Sequence, residues 1–417
     1  MQDENEEYRR LLNTVADQPG IASTVDIGRA IAEGKHRQRV RRMRVVAATA
    51  GVSAVAVMAI PFALQSIDRK PVGLASAAPS APASATPTAK AGFQTRPYDR
   101  SGTRALPASC TPRKLAVPGG NGIQSYVTNV DPSGLYATGR IYDDDQNPVI
   151  WRDGHPTQIS MGGDDDMLQD ATSKGDAVGF SYRSDGPQAQ AYVGGVLTKL
   201  RGGSAEASGI NERGAISGFL DEGRTRTAVT WPSAASDPVR LAVPEGTLRA
   251  MANDIDEDGT IVGNIVRFLP NNGRIAYVWY PDGTAQALPT PVWEGQYATD
   301  FDARSISNGW VTGYVTLAQK RSAGVRWDLV TGKVMVLDGL EWSNDVSRFG
   351  WIVGMNTHQD AVMTDGVNTV PLTALYAKPE YGMNWGEAIS DDGLTIVGHN
   401  DDKSYDGLQR AVIWKCK

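Results

Sequence analysis

The chain has 417 residues, 41% of them hydrophobic and 21% charged, which is ordinary for a folded protein and too long for one small domain. The net charge of −6 conceals an asymmetry: residues 1–44 carry +2, residues 45–110 carry +4 and residues 111–417 carry −12. An acidic C-terminal region repels phosphates, so nucleic acid is excluded as its partner.

Residues 1–44 read as a short cytoplasmic helical segment. Tyr8, Leu11, Leu12 and Val15 fall on one side of a helical pattern that Asp17-Gln18-Pro19-Gly20 breaks. Ser23 or Thr24 suits the cap of a second helix. Two readings stand side by side: a topogenic segment that only sets orientation, and a docking site for a cytoplasmic partner of residues 1–34.

Residues 45–66 are expected to form a transmembrane helix. Val45 to Leu64 is a 20-residue run without a charge, enough at ~1.5 Å per residue to cross a core of about 30 Å. Lys35, Arg37, Arg39, Arg41, Arg42 and Arg44 precede it, and only Asp68, Arg69 and Lys70 follow closely. The positive-inside bias puts the N-terminus in the cytoplasm and the rest outside a cell membrane crossed once. The alternative, a cleaved signal peptide, requires an unusually long charged leader. Residues 67–109, dense in Ala, Pro and Ser, read as a flexible, partly extended linker.

From 110 to 417 the chain repeats. Each unit has an apolar position, a turn ending in Gly, a short β run ending in Gly, a variable loop and a second β run often ending in Trp. Gly209-Ile210-Asn211-Glu212-Arg213-Gly214, Ala215-Ile216-Ser217-Gly218 and Ala228-Val229-Thr230-Trp231 form one such unit. Ala388-Ile389-Ser390-Asp391-Asp392-Gly393, Ile396-Val397-Gly398 and Ala411-Val412-Ile413-Trp414 form another. The closing glycines stand at 139, 179, 218, 263, 313, 354 and 398, in steps of 39 to 50 residues. That period, with four short strands per unit, predicts an all-β fold, a seven-bladed β-propeller.

The last unit lacks a fourth strand, whereas Arg113-Lys114-Leu115-Ala116-Val117-Pro118-Gly119 closely matches Val239-Arg240-Leu241-Ala242-Val243-Pro244 in the third. The N-terminal strand is therefore expected to complete the last blade and close the ring. Cys110 and Cys416, the two cysteines, would then be neighbours across an antiparallel pair, and an oxidising exterior would keep them bridged.

These units resemble HAF-type extracellular repeats, whose pattern is an apolar residue, Ile-Asn, Gly, Val-Val-Gly and then Ala-Phe-x-Trp. Ser208-Gly209-Ile210-Asn211 through Trp231 is the nearest match, and most units replace the Phe with Val or Tyr. The resemblance covers residues 113–416. It implies an extracytoplasmic propeller of bacterial, actinobacterial-like kind and no particular reaction.

No catalytic motif, cofactor or metal site is expected. Asp254-Ile255-Asp256-Glu257-Asp258-Gly259 resembles the start of a calcium loop, but Ile265 occupies the twelfth position, where a bidentate Glu is needed. Ser390-Asp391-Asp392-Gly393 resembles the Asp-box, itself a turn. His358 and His399 follow the second strands of adjacent units and read as exposed loop residues. The better lead is the face carrying the variable loops. It gathers Asp143, Asp144, Asp145, Asp164, Asp165 and Asp166, with Trp293, Tyr297 and Phe301 in the connection 288–302 and Tyr376, Tyr381 and Trp385 in the connection 373–387. Acids beside exposed aromatics suit a cell-envelope glycan, a cationic peptide or a protein ligand; as structural residues the same aromatics would cover blade edges. Three functions follow: a binding or sensing module without catalysis, a propeller-type hydrolase or lyase on cell-envelope glycan, and a purely structural surface protein.

Overall fold

The computed structural model describes residues 92–417, apart from 103, 121–122, 143–145, 268–272, 318–320, 381 and 406. The expected cytoplasmic helices, the transmembrane segment 45–66, most of the linker, Asp143, Asp144, Asp145 and Tyr381 lie outside the described residues. Among the described residues no helix is long and apolar enough to cross a membrane.

The described chain is a β-propeller. Unit one shows the plan: Gln124–Val130, Tyr136–Tyr142, Gln146–Arg152 and His155–Gln158 pair antiparallel in sequence order. The innermost strands of successive units are Gln124–Val130, Asp165–Ala171, Ala205–Ile210, Thr247–Ile255, Asp300–Ser307, Leu340–Val346 and Asn384–Ile389. Each packs against the next, and the last packs against the first, around a central channel.

The expectation of seven separate blades is corrected. Hydrogen bonding gives five four-stranded blades, while units three and four share one eight-stranded sheet. The join is a parallel bridge between Arg226 and Arg249. The outer strand of unit three is only Val239–Arg240 and pairs with Thr230 and Val229, leaving strand three uncovered at Arg226 as the outer strands of units one, two, four and six do at the equivalent position. What differs is the next first strand, the nine-residue Thr247–Ile255, which reaches Arg226. A separate two-stranded ribbon, Val292–Trp293 with Gln296–Tyr297, occupies the connection read as a loop.

Closure follows the N-terminal strand. Cys110–Lys114 pairs with Leu408–Cys416, so that Cys110 lies opposite Cys416 and Lys114 opposite Val412. The two cysteines form a disulfide across that seam.

The marker glycines do not end their strands, as the repeat pattern suggests; they lie in mid-strand. Gly139 sits within Tyr136–Tyr142 and Gly398 within Thr395–Asp402. A Cβ at either would overlap a first-strand carbonyl, that of Tyr126 or Trp385. The close approach faces a β-bulge in every first strand, which leaves one residue unpaired: Thr128, Gln169, Ser208, Asn253, Arg304, Asn344 and Glu387. The repeated tryptophans lock neighbours. Nε1 of Trp151, Trp231, Trp279, Trp327 and Trp414 donates to the carbonyls of Ala116, Arg201, Ala242, Pro289 and Thr373, each in the connection entering that unit.

Residues 92–102 and 104–108, read from composition as the end of a flexible linker, lie along the side of the ring that carries the tight turns. Arg96 pairs with Asp282, and Arg100 pairs with Asp328 while covering the Trp310 ring. Tyr98 donates to Thr260 and fills the space a side chain at Gly309 would need.

Candidate functional site

Two polar layers of the channel are structural. Asp170, Asp254 and Asp345 each accept a backbone N–H from the next unit, from Ile210, Ile306 and Ile389 at 2.7, 2.8 and 2.8 Å. The equivalent positions of those next units hold Gly209, Ser305 and Ala388, small residues that admit the carboxylates; a Cβ on Gly209 would already lie 3.0 Å from Asp254 Oδ1. Burial raises all three carboxyls, Asp170 to about 7 and Asp345 to about 6. At the bulges, Thr128, Asn253 and Asn344 donate to Leu168 O, Ala303 O and Gly386 O of the next unit.

The turn acids are similarly engaged. Asp254 also accepts from Ile255 N, Asp256 from Glu257, Asn308 and Gly309 N, and Asp258 from Thr260 N. Their oxygens complete turns, and among the described residues no group of three His, Cys, Asp or Glu side chains is set to hold a metal ion. A shallow pocket on the turn side is lined by Pro132, Ser173, Glu212, Arg348, Phe349 and Asp391.

The layer beyond the bulges, toward the variable loops, is different because it follows no repeat consensus. Its first-strand members are Tyr126, Met167, Glu206, Met251, Asp302, Trp342 and Trp385, paired across the strands with Arg140, Phe180, Phe219, Asn264, Tyr314, Met355 and His399. An aromatic wall runs through it. Tyr314 meets Trp342 at 5.3 Å, Trp342 meets Trp385 at 6.3 Å, Trp385 stacks on His399 at 5.9 Å, and His399 meets Tyr126 at 4.7 Å.

Charged groups are set into this wall. Glu387 accepts the Tyr126 hydroxyl at 3.3 Å and stands 3.5 Å from Nδ1 of His399. Burial pushes Glu387 up to about 7 and His399 down to about 3, so at neutral pH the imidazole is uncharged and the carboxyl is poised between its forms. Nδ1 of His399 has no hydrogen-bond partner. Arg274 bonds Asp300 at 2.9 Å and lies 3.5 Å from Asp302, which also accepts from Asn264 at 2.8 Å. Arg304, half-buried at its bulge, influences Tyr126, Asp302, Tyr314 and Glu387. Those residues come from three units, so its guanidinium sits near the channel axis.

The residues named from sequence scatter. Asp164 is exposed, Asp165 pairs with Arg140, and Asp166 is buried and accepts Gly163 N. Trp293 is buried beneath Arg321, with Phe301 in the same core, whereas Tyr297 is 74% exposed. Tyr376 is half-buried against the core of the closing blade. Of those among the described residues, only Trp385 joins the wall. His358 is exposed, but His399 is buried, which corrects its reading as a loop residue: its strand runs on past Gly398. Tyr126, Arg304, Trp342 and Glu387 escaped sequence reading: they stand 9 to 13 residues before their units' marker glycines, at offsets that vary with turn length and where the units cease to agree.

No family model matches the chain, and no curated protein matches it. Among solved structures it is similar to TolB from Acinetobacter baumannii, with TM-score 0.39 and 13% identity over 51% of this chain and 53% of that one. The chain thus spans about half the length of TolB. It is also similar to the β-propeller domain of the Trilobed protease from Pyrococcus furiosus, with TM-score 0.49 and 13% identity over 70% of this chain and 93% of that one. Oligogalacturonate lyase from Vibrio parahaemolyticus is similar at TM-score 0.46 and 9% identity, over 75% and 98%. At these identities and TM-scores the likeness carries nothing about activity, and the β-propeller rests on the strand pairing described above.

Proposed function

We propose that the protein is a recognition module held at the cell surface, which takes a cell-envelope glycan or similar ligand at the channel mouth on the variable-loop side. One observation carries this reading. The aromatic wall Tyr314, Trp342, Trp385, His399 and Tyr126 departs from the repeat consensus where the layers beneath it are engaged in holding units together. Aromatic faces beside charged groups suit a polyhydroxylated ligand with apolar ring faces. The opposite side is occupied by tight turns and by residues 92–108.

In this reading residues 45–66 anchor the chain by a single helix, residues 1–44 lie in the cytoplasm, where residues 1–34 meet a partner or only set topology, and the propeller is extracytoplasmic and akin to HAF-type repeats. The full-length protein in detergent should bind oligosaccharides of the cell envelope, and Trp385→Ala should weaken binding by about tenfold or more. Binding that ignores Trp385→Ala rejects the mouth as the site. A hydrolase or lyase acting on the same class of ligand is favoured by the Tyr126, Glu387 and His399 cluster. Time-dependent shortening of a bound oligosaccharide, abolished by Glu387→Gln, would select that reading over simple binding.

A further inference from the structure

We infer that the channel mouth selects an acidic carbohydrate, a chain of sugars bearing carboxylates, and that Arg304 is the residue that receives the carboxylate. This rests on the reading of the mouth as a recognition site and deepens it to a ligand class.

Four other arginines around the mouth are committed. Arg140 pairs with Asp165, Arg226 with Asp221, Arg274 with Asp300, and Arg410 with Asp402. Arg249 and Arg304 form neither a hydrogen bond nor an ion pair within the described residues, and of the two it is Arg304 whose charge acts on Tyr126, Tyr314 and Glu387 in the aromatic wall. None of its nitrogens is both buried and unpartnered, so the guanidinium reaches solvent from its half-buried seat and is open to a ligand. Its planar fork matches a carboxylate with two parallel hydrogen bonds.

The bulge explains how it comes to be there. An extra residue in a first strand is turned out of the ladder. In units one, four and six that residue bonds the next unit's backbone; in unit five it is Arg304 and has no such bond.

The two nearest carboxylates do not satisfy it. Asp302 is engaged by Arg274, Asn264 and Asn253. Glu387 accepts the Tyr126 hydroxyl, and burial holds it poised between charged and neutral at pH 7. The carbohydrate part follows from Trp342 and Trp385, half-buried neighbours 6.3 Å apart whose faces suit pyranose rings.

The test uses the full-length protein in detergent and two probes that differ only in their acid groups: the tetramer of cellouronic acid and cellotetraose. Calorimetric titration at pH 7 and low salt should show the acidic tetramer binding about tenfold or more tightly, the range expected of a charge-assisted bidentate contact. The preference should fall to within about twofold in Arg304→Met and persist in part in Arg304→Lys. Trp385→Ala should weaken the acidic tetramer as well. Equal affinities in the wild-type protein, which needs no variant to fold, overturn the inference; so does a preference that survives Arg304→Met. If binding is equal but still depends on Trp385, the recognition reading stands and only the ligand class fails. If neither tetramer binds, or Trp385→Ala changes nothing, the reading itself is overturned and the inference with it.

Discussion

Replacing both Cys110 and Cys416 by Ala should lower stability by about 5 kcal/mol. The bridge joins positions 306 residues apart, so it closes almost the whole propeller into one loop. Chain-entropy scaling for a loop of that length gives a value at the top of the range observed for disulfides. Little of the loss should come from the native state. Both residues are buried, but they are small, and the strand Cys110–Lys114 keeps its pairing with Leu408–Cys416 through four further residue pairs. The assay is equilibrium urea unfolding followed by tryptophan fluorescence, for the wild type with and without reductant and for the double variant. Reduced wild type and double variant should coincide, well below the oxidised protein. A midpoint shared by all three would refute the reasoning and leave strand pairing alone to hold the seam.

The channel aspartates give a pH dependence of definite sign. A carboxyl raised in the folded state favours folding below its unfolded value near 4 and loses that advantage as pH rises through its folded value, about 7 for Asp170 and about 6 for Asp345. Thermal unfolding temperatures should therefore fall between pH 5 and pH 8, and Asp345→Asn should flatten the fall. Gly218→Ala should cost several kcal/mol or prevent folding, since its Cβ would overlap the Glu206 carbonyl and meet Ala207 Cα at 3.0 Å; loss of soluble, cooperatively unfolding protein is the readout. Tyr98→Ala should release residues 92–108 from their seat against Gly309 and Thr260, seen as faster tryptic cleavage at Arg96, Arg100 or Arg104 with the propeller left intact.

Much of the architecture was legible because it is repeated. The glycines at 139 to 398 recur because each faces a strand carbonyl at close approach, and the tryptophans recur because each locks the connection before it. A period of that kind survives in one sequence without comparison to any other. The disulfide was legible by the same route, since the matching fourth strand set Cys110 beside Cys416. The fusion of units three and four was not, because it depends on one parallel bridge that the long first strand Thr247–Ile255 makes. Strand ends were misjudged too: a glycine reads as a stop in sequence, while here it lets two strands approach in mid-ladder.

The sequence by itself determined the repeat, the all-β class and the meeting of the two ends, because these follow from spacing and from the chemistry of Gly, Trp and Cys. Only the tertiary structure decided the site. Tyr126, Arg304, Trp342, Glu387 and His399 are separated by up to 273 residues along the chain and come together because the ring brings the first strands of distant units to one axis. Exposure was decided there as well. Trp293, named as a surface aromatic, is buried under Arg321, and His399, named as a loop residue, is walled in by Trp385 and Tyr126. Residue type and spacing carry no record of which side chains a closed ring will face toward its centre.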